Sequence, residues 1–235
     1  MKVFFLDCGY MTPKAKFVLQ NPAQPEEPFR LDVRPVLIQT GEHNILLDTG
    51  GYANKEGWPY VPTGNFPLHI REGQRLEEQL ALCGLTPDDI DIVVLSHLHF
   101  DHMNGARLFE KAVFYLPQRW RAIPEERTVL VTGDMDLVPG VRILFLPGHT
   151  DAHIGLTVEL EHTGLCVFPQ DGAFLGQLYA PPGHLPSDYL LWNGEAWFDS
   201  MEKVRKLERE HNGTVFFCHD PAFFAAARHA PEYYD

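Results

Sequence analysis

The 235-residue sequence is poor in positive charge. Nineteen lysines and arginines stand against 32 aspartates and glutamates, a formal net charge of −13. No Lys/Arg cluster is long enough to track a phosphate backbone, which argues against nucleic acid and anionic membrane as partners. Long apolar runs are missing too, and nothing approaches the roughly 18 residues of a membrane-spanning helix. The start, "MKVFFLDCGYM", has one Lys and a short apolar run cut by Asp7, too little for the core of a secretory signal. Cysteine is scarce: Cys8, Cys83, Cys166 and Cys218 form no C-x-x-C, and each sits in or beside an apolar stretch. Buried reduced thiols in a cytoplasmic protein fit this pattern better than disulfides. What is present is an apolar fraction of 45%, ample for a sizeable core in one large domain or two small ones, and typical of a globular chain.

Segments rich in Val, Ile, Leu and Phe predict strands at 3–6, 33–40, 44–48, 91–96, 112–116, 141–147, 154–160, 165–169 and 214–218. "TGEHN" and "EHTG" read as hairpin turns between the second and third and between the seventh and eighth. Two helices are marked. In "EGQRLEEQLALCG", Leu76, Leu80 and Cys83 share a face and Gly84 supplies the stop. In "EAWFDSMEKVRKLEREHNG", Trp197, Met201 and Val204 form the stripe, continued by Leu207 or Glu208, and Gly213 follows the end. "LTPDDID" offers Thr86 as N-cap, Pro87 at the first helical position and Asp89 near the capping-box position, so a short helix leads into the strand at 91–96. Hairpin-rich sheet, helix and strand, then the same order again, predict two similar halves packed sheet on sheet with helices outside. Segments 20–32, 50–70 and 176–194 read as irregular and are expected near a functional site. They carry Trp58, Tyr60, Phe66, Tyr179 and Trp192, aromatic surface enough to line a pocket.

Directly after the apolar "DIVVLS" comes "SHLHFDHMNG", in which His97, His99, Asp101 and His102 crowd six positions. His97 and His99 leave an extended backbone on the same side, and a turn must bring Asp101 and His102 back to it. Imidazoles and a carboxylate without thiolates suit zinc or another late first-row ion in a catalytic rather than a structural site. "LFLPGHTDAH", "CVFPQDGAF" and "VFFCHDP" place His149, Asp171 and His219 just beyond other strands, where polar groups gather at one rim of a sheet. Taken singly, Asp171 reads as a turn residue. Seven ligands exceed one tetrahedral ion, whereas two ions about 3.5–4 Å apart can share a bridging carboxylate.

"SHLHFDH", "LLDTGG", "PGHTDAH", "QDGAF" and "CHDP" resemble, in order and spacing, the five signatures of the metallo-β-lactamase-fold hydrolases, over residues 33–220. The resemblance implies an α+β fold, an αββα sandwich of two mixed sheets flanked by helices, in a single domain spanning 1–235. It implies that His97, His99 and His149 bind one metal, Asp101, His102 and His219 a second, and that Asp171 bridges. Asp48 and His153 would then orient ligand imidazoles. Within the superfamily the chain is most similar to the quorum-quenching lactonases that open N-acyl homoserine lactones. It shares "SHLHFDH", the "VPGVRILFLPGHT" approach to His149 and an ending like "FCHDPAFF". That branch has a tyrosine three residues after the bridging Asp, where this chain has Phe174.

The expectation is therefore a hydrolase of ester bonds, a lactonase holding two divalent ions, zinc first and iron, manganese or cobalt as alternatives. A water shared by two such ions is acidified toward neutral pH and supplies the nucleophile, hydroxide. Asp101 or Asp171 would pass the proton to the leaving group, Asp101 by preference because a bridging carboxylate has less basicity to spare. Tyr179 or His184 could replace the hydroxyl missing at Phe174, and Trp58 and Phe66 would join them in lining the pocket. Cys218, as a strand residue alternating away from the metals, is assigned to the core. A glyoxalase II-like thioesterase or another carboxylic ester hydrolase is the competing reading. The partner would be a small lactone or ester, and the aromatics of 50–70 could serve a homodimer as well as a lid.

Overall fold

Most strands of this chain are apolar on both faces, so each sheet has to be covered twice. The computed structural model describes residues 1–51 and 64–235. Along the chain run β1 (Lys2–Phe5), β2 (Tyr10–Met11), β3 (Leu31–Asp32), β4 (Val36–Gln39), β5 (Asn44–Leu47), β6 (Leu68–His69), α1 (Leu76–Leu82) and β7 (Ile92–Val94). Then come α2 (Phe100–Met103), β8 (Val113–Leu116), β9 (Thr128–Leu130), β10 (Met135–Val138), β11 (Val141–Phe145), β12 (Ile154–Leu160) and β13 (Gly164–Phe168). The last are α3 (Gly176–Tyr179), α4 (Gly194–His211), β14 (Thr214–Val215) and α5 (Pro221–Ala226).

The first sheet has the order β1-β4-β5-β7-β8-β9 and the second β10-β11-β12-β13-β14. Both are mixed: hairpins give antiparallel pairs, while β5/β7, β7/β8, β8/β9 and β13/β14 are parallel. Val3, Phe5, Val36, Ile38, Ile45, Leu47 and Val94 of the first sheet share one buried cluster with Val141, Ile143, Ile154, Leu156, Val158 and Phe168 of the second. Their neighbours in sequence, Phe4, Leu37, Leu46 and Val93, belong to another cluster, which also takes in Leu76 and Leu80 of α1. On the second sheet Leu144 and Val167 join that cluster beside Trp197, Met201 and Val204 of α4. The period of two in each strand thus produces the expected αββα layering, sheet on sheet with helices outside.

The structure also revises the sequence reading. The segments expected to be irregular contain order: 20–32 ends in β3, 50–70 contains β6, and 176–194 holds α3, a 3-10 turn at Asp188–Leu190 and the start of α4. Strands β3, β2 and β6 form a small third sheet; two residues apiece are too few to show a period. Strands β9 and β10 are further additions, and β14 stops at Val215 instead of running to 218. The short helix expected at 87–89 is a single 3-10 turn, with the Asp89 carboxylate accepting from both the backbone N–H and the hydroxyl of Thr86. At the end of α4 Asn212 takes the left-handed conformation, φ 48°, a role the sequence suggested for Gly213.

Helix α4 fixes one side of the rim. Ser200 donates to the carbonyl of Pro147, and the N–H groups of Trp192 and Asn193 both reach the carbonyl of Gly148. Gly148, at φ 142°, lies against the Trp197 backbone, where an added Cβ would come within 2.5 Å of the Trp197 Cα. Trp197 is fully buried, its indole N–H donating to the His184 carbonyl. Trp197→Ala should lower stability by about 3–5 kcal/mol, read from the urea midpoint of the ion-free protein.

Candidate metal centre

The functional side chains come from turns that follow strands, at the edge where the two sheets meet. The N–H of Ile154, first residue of β12, donates to the carbonyl of Ser96 just past β7, which ties the two sheets together there. From the first sheet come His97, His99 and, on the single turn α2, Asp101 and His102. The second sheet supplies His149 after β11, Asp171 after β13 and His219 after β14. The carbonyl of His102 accepts from both the N–H and the hydroxyl of Thr49, and Gly105 passes so close that an added Cβ would lie 2.2 Å from the Thr49 oxygen. The glycine of "HMNG" is thus required by the close approach of two backbones.

All seven residues singled out in the sequence converge. Ligand atoms of His97, His99, His149 and Asp171 lie within 4.8 Å of one another, as do those of Asp101, His102 and His219. Asp171 faces both groups. Its Oδ2 is 3.2 Å from His149 Nε2 and 3.9 Å from His97 Nε2, and its Oδ1 is 3.2 Å from His102 Nε2 and 3.1 Å from His219 Nε2. Asp101 Oδ2 is 3.4 Å from both His102 Nε2 and His219 Nε2.

These atoms fit cations. His99 Nδ1 and His149 Nε2 face each other at 2.9 Å, His102 Nε2 and His219 Nε2 at 3.2 Å, and buried His97 Nε2 has no hydrogen-bond partner among the described residues. Lone pairs aimed together at such distances repel unless a proton or a cation lies between them. Donors about 2.0–2.1 Å from a tetrahedral ion sit about 3.3 Å apart, close to the separations found here. The outward nitrogens are tied down. His149 Nδ1–H donates to the Leu190 carbonyl (2.7 Å), His219 Nδ1–H to the Asp32 carbonyl (2.5 Å) and His102 Nδ1–H to Asp48 Oδ2 (2.7 Å). Each bond places a proton on Nδ1 and points Nε2 inward.

Asp48 carries much of this orientation. Besides His102 it accepts from the Ser96 N–H at 2.7 Å, the Ser96 hydroxyl at 2.9 Å and the Gln170 amide. With its proton given to Asp48, the Ser96 oxygen is left to accept from His97 Nδ1 at 3.0 Å. One carboxylate is thus hydrogen-bonded directly to His102 and through Ser96 to His97, one imidazole of each group. His153 is fully buried with its ring 5.2 Å from that of His97, and among the described residues neither of its ring nitrogens has a hydrogen-bond partner.

A cavity of about 160 Å³ opens over the cluster, lined among the described residues by Phe66, Phe100, Asp101, Asp171, Phe174 and Tyr189, with Met11 and Leu31 behind. Phe174 is fully buried, its ring 6.4 Å from that of His149 and 6.0 Å from that of His219. Phe66 lines the cavity as expected, while Trp58 lies outside the described residues. Tyr179 and His184 are not part of it. The Tyr179 hydroxyl donates to Glu208 of α4 at 2.6 Å, and His184 is exposed on a separate cleft with Leu19 and Gln177. Neither replaces the hydroxyl absent at Phe174. Tyr189, stacked on Phe66 at 5.8 Å, is a pocket residue the sequence did not single out.

Two further supports were missed. Asp32, whose carbonyl receives His219, has its carboxylate clamped by Arg30 at 2.8 Å and by buried Arg34 at 3.1 Å. The i, i+2, i+4 spacing of "RLDVR" is the signal, since it places all three on one side of an extended segment. Cys218 is in the buried core, as the sequence assigned it, but not as a strand residue facing away, since β14 ends three residues earlier. On the turn that replaces it, adjacent Cys218 and His219 both reach Asp171.

The two groups differ in charge. Burial holds His97 well below the usual imidazole pKa and His149 down to about 4, so both are neutral donors. Burial also disfavours charge on His102 and His219, but Asp171 and Asp101, joined at His102 by Asp48, outweigh it and raise both. In the ion-free protein these two imidazoles hold protons above the normal range.

Fold and site define the class: the chain has the metallo-β-lactamase fold, and the model of the metallo-β-lactamase superfamily matches its residues 30–118. Its full-length relatives narrow the comparison. It is 29% identical to N-acyl homoserine lactonase AiiB of Agrobacterium fabrum, over 96% of this chain and 95% of the relative. It is 26% identical to the N-acyl homoserine lactonase of Bacillus thuringiensis, over 95% and 97%. A solved N-acyl homoserine lactone hydrolase, with the product N-hexanoyl-L-homoserine at its catalytic metal centre, superposes with a TM-score of 0.84 at 25% identity, covering 99% of this chain and 98% of that one.

A cation entering beside His102 and His219 must displace protons that one beside His97 and His149 does not meet. As pH falls from neutral, the metal content per chain should therefore drop in two steps, the Asp101, His102 and His219 group emptying first. Elemental analysis after dialysis at each pH reads this, and a single concerted loss would contradict it.

Proposed function

We propose that this protein is a lactonase of two divalent cations that opens the ester bond of a small, partly apolar lactone, with the N-acyl homoserine lactones as the substrate class, acting as one metallo-hydrolase domain over residues 1–235. The observation that carries the reading is the position of Asp171, one oxygen toward His97 and His149 and the other toward His102 and His219. His97, His99 and His149 would hold one cation and Asp101, His102 and His219 the other, with Asp171 common to both. All-nitrogen-and-oxygen donors in tetrahedral spacing suit zinc. When bound, two such ions supply an acidified water and a Lewis acid for a carbonyl oxygen.

The chain's own residues do the rest. Asp48 and the Leu190 and Asp32 carbonyls fix the imidazoles, so no ligand has to reorganise during turnover. Asp101 belongs to one donor group only and faces the cavity, which suits it to hand a proton to the leaving alkoxide. Phe66, Tyr189 and Phe174 exclude water and offer apolar contact to the substrate. The relatives described above support the lactone class. Four free cysteines, three of them buried, are consistent with a cytoplasmic setting.

Protein carrying two equivalents of zinc should hydrolyse N-hexanoyl homoserine lactone and simple γ-lactones and lose that activity on chelation, followed by proton release. No turnover across such a panel in fully loaded protein, or faster cleavage of S-acyl glutathione, would sink the reading. With Phe174 packed between His149 and His219, Phe174→Tyr would place a hydroxyl donor at the cavity floor. Its kcat on γ-lactones should rise, by up to roughly 10²-fold given the worth of one such donor, at unchanged metal content.

A further inference from the structure

Asp171 has a neighbour that the reading above leaves without a role. Cys218 Sγ lies 3.3 Å from Asp171 Oδ1, both side chains are buried, and the ligand atoms of Asp171, Cys218 and His219 fall within 4.8 Å of one another. Among the described residues Cys218 is the one hydrogen-bond donor to Asp171 other than a ligand imidazole. We propose that Cys218 is a positioning residue for the bridging carboxylate, its S–H donating to Oδ1 and setting the plane in which Asp171 meets both cations.

The geometry supplies the reason. A carboxylate oxygen carries two lone pairs, and the terminal torsion of Asp is broad and soft. Oδ1 faces His102 Nε2 and His219 Nε2 at 3.2 and 3.1 Å, so one of its directions is directed to that donor group. A thiol on the other direction resists rotation about the Cβ–Cγ bond, and with it the swing of Oδ2 away from His149 and His97. The backbone around it is held. The His219 N–H donates to the Phe174 carbonyl at 3.2 Å. Asp220 caps α5 through the N–H groups of Ala222 and Phe223 and accepts from Gly176 N–H at 2.8 Å, which ties the segment after Asp171 to the one carrying Cys218. Cys166, by contrast, reaches only a carbonyl two residues away, at 3.7 Å.

The inference rests on the two-cation reading, and its test reports on the cations before any turnover is measured. Wild type, Cys218→Ala, Cys218→Val and Cys218→Ser are loaded with Zn2+, dialysed against graded chelator and counted for metal; the same set is loaded with Co2+ for electronic spectra. Partners of metal ligands are typically worth 10- to 100-fold in metal affinity. Cys218→Ala and Cys218→Val should lose affinity for one of the two ions by that factor and shift the Co2+ ligand-field bands. Cys218→Ser, which keeps a donor, should stay close to wild type in both. Valine fills the thiol's space, so a Val variant with wild-type retention and spectrum makes Cys218 mere packing and overturns the proposal. A sulfur-to-cobalt charge-transfer band in wild type, lost in Cys218→Ser, overturns it differently, by making Cys218 a ligand. Wild type that binds fewer than two ions removes the bridge itself, and the proposal falls with the two-cation reading; two ions with indifferent variants would leave that reading intact.

Discussion

The rim of this molecule depends on the sharing of Asp171 between two groups of imidazoles. Two divalent cations held close together repel strongly, and a common anion between them is the simplest way to offset that. The requirement is severe, because a carboxylate has only two oxygens and each must face a different set of nitrogens. No single segment can meet it. The chain brings ligands from four places, two turns behind parallel strands and two behind strands of a hairpin sheet, and a sandwich whose sheets pack face to face puts all four at one end. The αββα layering is in this sense the scaffold for one side chain.

Burial does two opposite things within a few ångströms. It strips His97 and His149 of their protons, leaving donors ready for a cation. At His102 and His219 the same burial is overruled by Asp101 and Asp171, with Asp48 added at His102, so the empty group is proton-loaded. The carboxylates that would help hold a second ion favour protons on these two imidazoles in its absence. The overall charge of −13 therefore has little to do with the site, where local pairing sets the balance.

The sequence made the sheet-forming segments and all seven candidate ligands legible for a common reason: each ligand stands directly after an apolar run, and the end of a buried strand is a predictable place. Residue-by-residue alternation was less dependable. Cys218 was read as facing away because a strand was assumed to continue to 218; once β14 stops at Val215 the parity rule has nothing to act on. Tyr179 and His184 were near the site in sequence, but α3 turns Tyr179 toward Glu208, a contact 29 residues away that no local pattern signals. His153 lies beside His97 but makes no hydrogen bond among the described residues. Asp48 could be placed because its motif and its geometry agree. The two-residue strands β2 and β3, which bring Met11 and Leu31 to the cavity, and β6 beside β2 were illegible in principle, since pairing across the small sheet defines them.

Asp48 and Gln170 both adopt left-handed backbone, φ 59° and 49°, a conformation that costs a residue with a side chain on the order of 1–3 kcal/mol. Each is on the turn immediately beyond a central strand, and the Gln170 amide donates to the Asp48 carboxylate. A replacement at either position would leave its partner strained without the bond that offsets the strain. Glycine, the usual answer to a positive φ, would relieve the backbone at the expense of the contact. Among diverging sequences of this kind the two positions should therefore drift as a pair, so that co-substitution at 48 and 170 becomes a marker of how the rim was rebuilt whenever its occupants changed.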